Sequence, residues 1–328
     1  MNLDQNNLTE VSNYLQTQGI LKSPEFVTKA EKPGDGNMNC TLRLFVDDKT
    51  FIIKQARPYV EKYPSIAAPL ERILVEREFY KIISKNDFMS LHMPKILFSD
   101  DENHVIVMED LGASKDFTSL YKKRNVLTPD DSKMCAVFLT KLHGQFKKTE
   151  ENELMTNKNL KTLNHEHIFV YPFLQENGFH LDVFNDGLQT VAMKYKTDIQ
   201  LKKVAEELGN VYLENGDILL HGDYYPGSWL NTKTGLKIID PEFAFYGKAE
   251  FDLGVLYAHL FMAEQPDSVF EIIKEFYKKS NDFNEQLFNQ FTGIEMMRRI
   301  IGLAQLPLDL SLIEKEELLN KAYNLLID

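Results

Sequence analysis

HGDYYPGSWLNTKTGLKIIDPE, His221 to Glu242, packs an unusual number of oxygen-bearing side chains into a short run. Trp229-Leu230 and Leu236 to Ile239 are apolar and flank Asn231 to Gly235, a pattern that predicts a tight β-hairpin. Such a hairpin holds the loop before it and the loop after it side by side at one end. One carboxylate, Asp223, would then lie on the first loop near the hydroxyl of Ser228, and two more, Asp240 and Glu242, on the second. That set offers one base to orient an attacking hydroxyl and hard oxygen ligands for magnesium. Phosphoryl transfer from a metal-bound nucleotide asks for this combination, because its loose transition state is served mainly by positioning and charge neutralisation. Each piece alone is weak, since HGD is often a turn or a core-anchored histidine and DPE is a common loop string. A zinc site at His221, Asp223 and Asp240 is a poorer reading: no second histidine stands at ligand spacing, and carboxylates with a hydroxyl suit magnesium better.

Around this stretch the chain changes character once. Helical spacing at Thr9 to Leu21 gives way to strand-like runs at Phe26 to Ala30, Cys40 to Val46 and Thr50 to Lys54, punctuated by Gly34-Asp35-Gly36-Asn37 and Asp47-Asp48-Lys49. Glu71 to Ser84 predicts a helix, and Lys95 to Ser99 and His104 to Met108 two further strands. Beyond Gly112, helical patterns dominate: Asp130 to Phe146, Thr190 to Leu213, Asp267 to Lys279, Asn284 to Leu303 and Leu312 to Leu326, interrupted by the β-segment Ile218 to Asp240. Lys147 to Asn159 is polar and predicts a loop. The expectation is an α+β, two-lobed molecule, with a small strand-rich lobe over residues 1–111 and a larger helical lobe over 112–328. A cleft between such lobes is a common place for a ligand.

The small lobe supplies candidates for the other half of the site. Lys54 closes a strand and can reach nucleotide phosphates, and Glu76 or Glu78 on the following helix could hold it, with Glu76 favoured. Gly34, Gly36 and Asn37 lie between the first two strands. No Lys-Ser or Lys-Thr follows them, so this is not a Walker loop, but glycines there would let backbone amides approach phosphates. Met108, Glu109 and Leu111 lie where a strand leaves the small lobe, and their backbone could pair with an adenine edge.

Composition narrows the partners. The 328 residues are 43% hydrophobic, which supports a substantial core and excludes disorder and collagen-like repeats. Against 37 Lys and Arg stand 49 Asp and Glu, a net charge of -12 that argues against nucleic acid as a partner. The two cysteines, Cys40 and Cys135, are too few for a disulfide framework and sit in apolar-patterned stretches. The opening residues lack a signal-peptide pattern, and the longest apolar stretch, around Gly254 to Ala263, is too short to span a membrane. A cytoplasmic protein with a small-molecule substrate is the expectation. A late helix with apolar residues would serve a homodimer or the core equally.

Together these features resemble the aminoglycoside phosphotransferase and choline kinase branch of the protein-kinase-like fold, from about residue 30 to 260. More narrowly, GDGNMN (Gly34 to Asn39), IKQARPYV (Ile53 to Val60), VMEDL (Val107 to Leu111), HGDYYPGS, DPEFAFYG (Asp240 to Gly247), FDLG (Phe251 to Gly254) and MRRIIGLA (Met297 to Ala304) are similar to methylthioribose kinases. That resemblance implies ATP and Mg2+, with Asp223 as catalytic base, Asp240, Glu242 and Ser228 at the metal, and Lys54 on the phosphates. It also implies that Arg298 and Arg299 reach a sugar substrate, 5-methylthioribose, phosphorylated at its C1 hydroxyl. Two features depart from the family. Tyr224, Tyr225 and Pro226 replace the usual Leu-His-Thr beside the catalytic Asp, and Glu61 to Pro69 lacks the family's tryptophan.

Rival expectations follow from the same residues. An aminoglycoside, choline or homoserine-like acceptor would use the same machinery, and a pseudokinase would have lost the lysine, the base or a metal carboxylate, all of which are present. Consecutive helical arginines point about 100° apart, so one of Arg298 and Arg299 could face solvent while the other caps a carbonyl. His143 reads as a core-anchored helix residue, and Phe243, Phe245 and Tyr246 as packing.

Overall fold

The computed structural model describes residues 2–34, 36 and 38–328. Helix α1 (Leu8–Thr17) precedes strands β1 (Lys29–Glu31), β2 (Cys40–Val46) and β3 (Lys49–Gln55), then the short pair β4 (Tyr59–Val60) and β5 (Tyr63–Ala67). Helices α2 (Arg72–Ile83) and α3 (Asp87–His92) lead to β6 (Ile96–Asp100) and β7 (Val105–Glu109). An antiparallel five-stranded sheet results, in the order β1-β2-β3-β7-β6. Its strands alternate, as a two-sided sheet demands. Leu42, Leu44, Ile53, Val105 and Val107 face a cluster built with Val11 and Leu15 of α1. Ile106 and Met108 face the opposite side, where Ile73, Phe79 and Ile83 of α2 pack. By the same alternation Lys54 emerges on the α2 side.

The rest is mainly helical: α4 (Pro129–Gln145), α5 (Lys158–His165), α6 (Leu188–Lys196), α7 (Ile199–Leu213), α8 (Ala249–Met262), α9 (Asp267–Phe276), α10 (Glu285–Ile301) and α11 (Leu312–Ile327). Two corrections and one addition to the sequence reading arise here. The single helix expected over Thr190 to Leu213 is broken, because Asp198 caps α7 by accepting from the Leu201 amide at 2.9 Å. The polar stretch after α4 is not all loop, since α5 begins at Lys158. The apolar stretch around Gly254 is α8, buried on almost every face and therefore without the stripe that marks an amphipathic helix. Among the described residues, no helix is long and apolar enough to cross a membrane.

Among the described residues, five short strands complete the picture: β8 (Lys115–Asp116), β9 (Ile218–Leu220), β10 (Trp229–Thr232), β11 (Gly235–Ile238) and, after the acidic turn, β12 (Phe245–Gly247). The β10–β11 hairpin pairs Trp229 with Ile238, and β9 pairs with β12, Leu220 opposite Phe245. Those two pairings bring the loops 221–228 and 239–244 to one end. β8 adds to the hairpin, Asp116 opposite Leu230, so the segment leaving the five-stranded sheet lies against it. Both cysteines are buried and unpaired. One continuous apolar cluster runs from Ile73 and Phe79 of α2 through Met108 to Leu139, Trp229, Ile238 and Leu256, joining the sheet to the helical region.

Candidate active site

Lys54 Nζ lies 2.7 Å from Glu76 Oε1 and also donates to Asp240 Oδ1. Glu78 is turned elsewhere, toward Lys81 at 3.2 Å and Asn152 at 3.4 Å. Burial would depress the Lys54 ammonium, but Asp240 and Glu76 together outweigh it and hold its pKa well above the usual lysine value. Glu76 is itself raised, burial outweighing Lys54. Gly34 and Gly36 stand in open space, with no heavy atom within 4 Å of where a Cβ would be. Asn37 lies outside the described residues. Met108 is buried opposite Ile52, and the Glu109 amide donates to Lys95 O at 2.9 Å. Arg43 clamps the next residue, Asp110, through two bonds of 2.8 and 3.0 Å, and donates to Gly112 O at 2.8 Å. The Leu111 side chain is half-buried on this clamped segment.

The loop 221–228 is held from beneath by one carboxylate. Asp252 of α8, fully buried, accepts from the backbone amides of His221 (2.7 Å) and Gly222 (2.9 Å) and faces His143 Nε2 at 3.2 Å. His143 also meets the Tyr277 hydroxyl at 2.9 Å, which makes it a core anchor. Gly222 has φ +82, and a Cβ there would strike the backbone carbonyl of Phe243, so no other residue lets the two loops approach this closely. The Ser228 hydroxyl donates to Asp223 O at 2.8 Å, bracing the loop from within. Asp223 keeps 19% of its side chain exposed and accepts from Arg299 Nη2 at 3.2 Å. Burial raises its pKa, while Arg299 and then Arg298 pull it back.

On the second loop Asp240 adopts the left-handed conformation (φ 63, ψ 50), which aspartate tolerates better than most residues. Its side chain is 39% exposed. Glu242 faces a different way: Asn39 Nδ2 donates to it at 2.9 Å and Arg72 Nε lies 3.6 Å away. Burial pushes Glu242 up to about 8, Arg72 opposing and Glu76 and Asp240 adding to the rise. Arg72 is wholly buried and also donates to Asn39 Oδ1 and to the carbonyls of Met38, Arg57 and Pro69. Asn157 bonds the carbonyls of Glu242 and Ala244 at 2.9 and 3.1 Å, fixing the loop from the far side. Phe245 packs in the core, as its sequence setting suggested.

These donors fit magnesium in the way nucleotide enzymes use it. Among the described residues, no cluster of three or more His, Cys, Asp or Glu is spaced for a metal. Magnesium carried on phosphates needs only one or two carboxylates and keeps waters, so an all-protein cage is not required. Asp240 is the open carboxylate, and Glu242 joins it only by leaving Arg72 and Asn39.

Neither arginine of the late helix faces solvent. Arg298 donates to Glu295 Oε2 at 3.0 Å and Arg299 Nε to Glu295 Oε1 at 2.7 Å, all three side chains being buried. Arg299 Cζ stands 5.0 Å above the Tyr225 ring. The sequence reading missed Arg72, Asn39, Asp252 and Glu295. Of these, Asn39 and Asp252 sat in motifs already singled out, GDGNMN and FDLG.

The profile of the phosphotransferase enzyme family matches residues 45–286. A methylthioribose kinase of Bacillus pumilus is 28% identical over 333 residues, covering 87% of this chain and 81% of that protein. One from a Geobacillus species is 30% identical over 331 residues, covering 87% and 80%. The crystal structure of choline kinase LicA from Streptococcus pneumoniae superposes with a TM-score of 0.54 over 97% of this chain and 98% of that one, at 14% identity, a likeness of fold. The chain belongs to the phosphotransferase enzyme family as a methylthioribose kinase-like member with the protein-kinase-like fold, an ATP-dependent small-molecule kinase.

Proposed function

We propose that the protein transfers the γ-phosphoryl group of ATP to a hydroxyl of 5-methylthioribose. Relatives that match along most of the chain are methylthioribose kinases, and the observation that carries the reading is the contact between Arg299 and Asp223. It joins the base on the HGD loop to a cation of the late helix, so one acceptor hydroxyl can meet the carboxylate while a neighbouring oxygen meets the guanidinium.

In this reading Asp223 accepts a hydrogen bond from the acceptor hydroxyl, aligns it with the γ-phosphorus, and takes its proton as the phosphoryl group transfers. Lys54, held by Glu76, releases Asp240 and turns its charge to the nucleotide phosphates. Amides at Gly34 and Gly36 cover those phosphates, and the backbone at Met108, Glu109 and Leu111 receives the adenine edge. Asp240 would hold a magnesium ion, joined by Glu242 once it leaves Arg72 and Asn39 and by Ser228 once its hydroxyl leaves Asp223 O; when bound, the ion neutralises charge on the phosphates.

The test is a panel of acceptors with ATP and magnesium: 5-methylthioribose, choline, homoserine and an aminoglycoside, followed by ADP release and thermal shift. Methylthioribose alone should be turned over and should alone raise the melting temperature beyond nucleotide. Preferential turnover of any other acceptor contradicts the assignment.

A further inference from the structure

Behind the arginine pair runs a chain of buried polar groups with no part in the reading above. Tyr121 Oη lies 2.5 Å from His259 Nδ1, His259 Nε2 lies 3.1 Å from Glu295 Oε1, and Glu295 bonds both Arg298 and Arg299. Tyr121 is 2% exposed, His259 0% and Glu295 1%. The donors and acceptors fix the tautomer. A carboxylate bonded to two guanidiniums only accepts, so the proton sits on His259 Nε2. Nδ1 then carries a lone pair, and the Tyr121 hydroxyl donates to it. Burial holds His259 neutral, its pKa lowered to about 4 against the pull of Glu295. Two guanidiniums sharing one carboxylate leave one net positive charge, set against the Asp223 carboxylate. The Tyr225 ring completes the packing, 5.0 Å from the His259 ring and 5.0 Å from Arg299 Cζ.

We infer that Tyr121, His259 and Glu295 are positioning residues that lock Arg299 against Asp223, with Arg298 beside it, so that an oxygen-rich acceptor meets a preformed cation. None of the three touches the reacting atoms. The inference rests on the assignment of Asp223 and Arg299 to the acceptor side. Tyr121 ends the 3-10 turn Thr118–Tyr121, which follows β8, and Phe117 at its start donates to Pro226 O at 3.0 Å. The relay therefore ties the segment between the sheet and the helices to the acceptor cation, through α8 and α10.

Three variants test it. His259→Leu cuts the relay at its centre, and misplacing a binding cation by about an ångström costs on the order of 100-fold, so the acceptor KM should rise about 10- to 100-fold. The dissociation constant for ATP without acceptor should stay the same. His259→Gln, whose amide can donate to Glu295 while its carbonyl accepts from Tyr121, should restore most of the loss. Tyr121→Phe removes one hydroxyl and carries the test if His259→Leu fails to fold. An unchanged acceptor KM in His259→Leu and Tyr121→Phe, or an equal weakening of ATP and acceptor, overturns the relay. A second readout needs no acceptor: in ligand-free protein labelled with 15N-arginine, the Arg299 Nε–H should exchange slowly with water in the wild type and rapidly once the relay is cut. Unchanged exchange in the variants overturns the relay whatever the substrate proves to be, whereas failure of the wild type to use methylthioribose refutes only the substrate.

Discussion

Glu242 shows how a single side chain can set a pH dependence for the whole fold. Its carboxyl titrates near 4.5 in an unfolded chain but is pushed up to about 8 in the fold, chiefly by burial. The native state therefore binds this proton more tightly than the unfolded state. The stability that this tighter binding confers is complete below about 4.5 and is lost as pH rises through about 8. Glu242→Gln cannot ionise, so its melting temperature relative to wild type should be flat below pH 4.5 and climb between about pH 5 and 8. A difference independent of pH would show that Glu242 ionises normally. The residue itself was legible in the sequence from its place in DPE, but the groups that hold it were not. Arg72 stands among the ordinary charges of Glu71 to Glu78, and its role depends on carbonyls from Met38, Arg57 and Pro69 that only tertiary folding brings together.

At the scale of elements, α8 organises the site. Asp252 and His259 are seven residues apart, two helical turns, and so share a face: one holds the HGD loop and the other reaches Glu295. Asp252→Asn replaces one of two accepting oxygens with an amide that cannot accept, orphaning a buried loop amide. Such a loss costs about 1–3 kcal/mol, to be read from urea unfolding, and turnover should fall with it. Unfolding and turnover both equal to wild type would mean the loop is anchored elsewhere. Amphipathic helices such as α2, α4 and α11 were readable because only one face is buried. α8 was not, because its burial on almost every side erases the stripe, and the α6–α7 break hid because a single capping aspartate interrupts an otherwise continuous pattern.

Over the whole molecule, the β10–β11 hairpin and the β9–β12 pair set two acidic loops side by side, and β3 delivers Lys54 from the sheet to meet them. The hairpin and the lysine facing it followed from the sequence, because a hairpin fixes which ends of its strands are neighbours, whereas the β9–β12 pair did not. The Glu295 support for the arginine pair did not, since it joins α10 to residues of α8 and of the Thr118–Tyr121 turn far away in the chain. The proposed role of Asp223 as the base for phosphorylation of methylthioribose ties these scales together. The most direct measurement compares wild type with Asp223→Asn, following ADP release with 5-methylthioribose and, in parallel, ATP affinity by calorimetry. The expected result is a kcat lowered by about 100- to 10,000-fold, the usual contribution of a positioned base, with ATP affinity unchanged. Turnover by Asp223→Asn near the wild-type rate would contradict it.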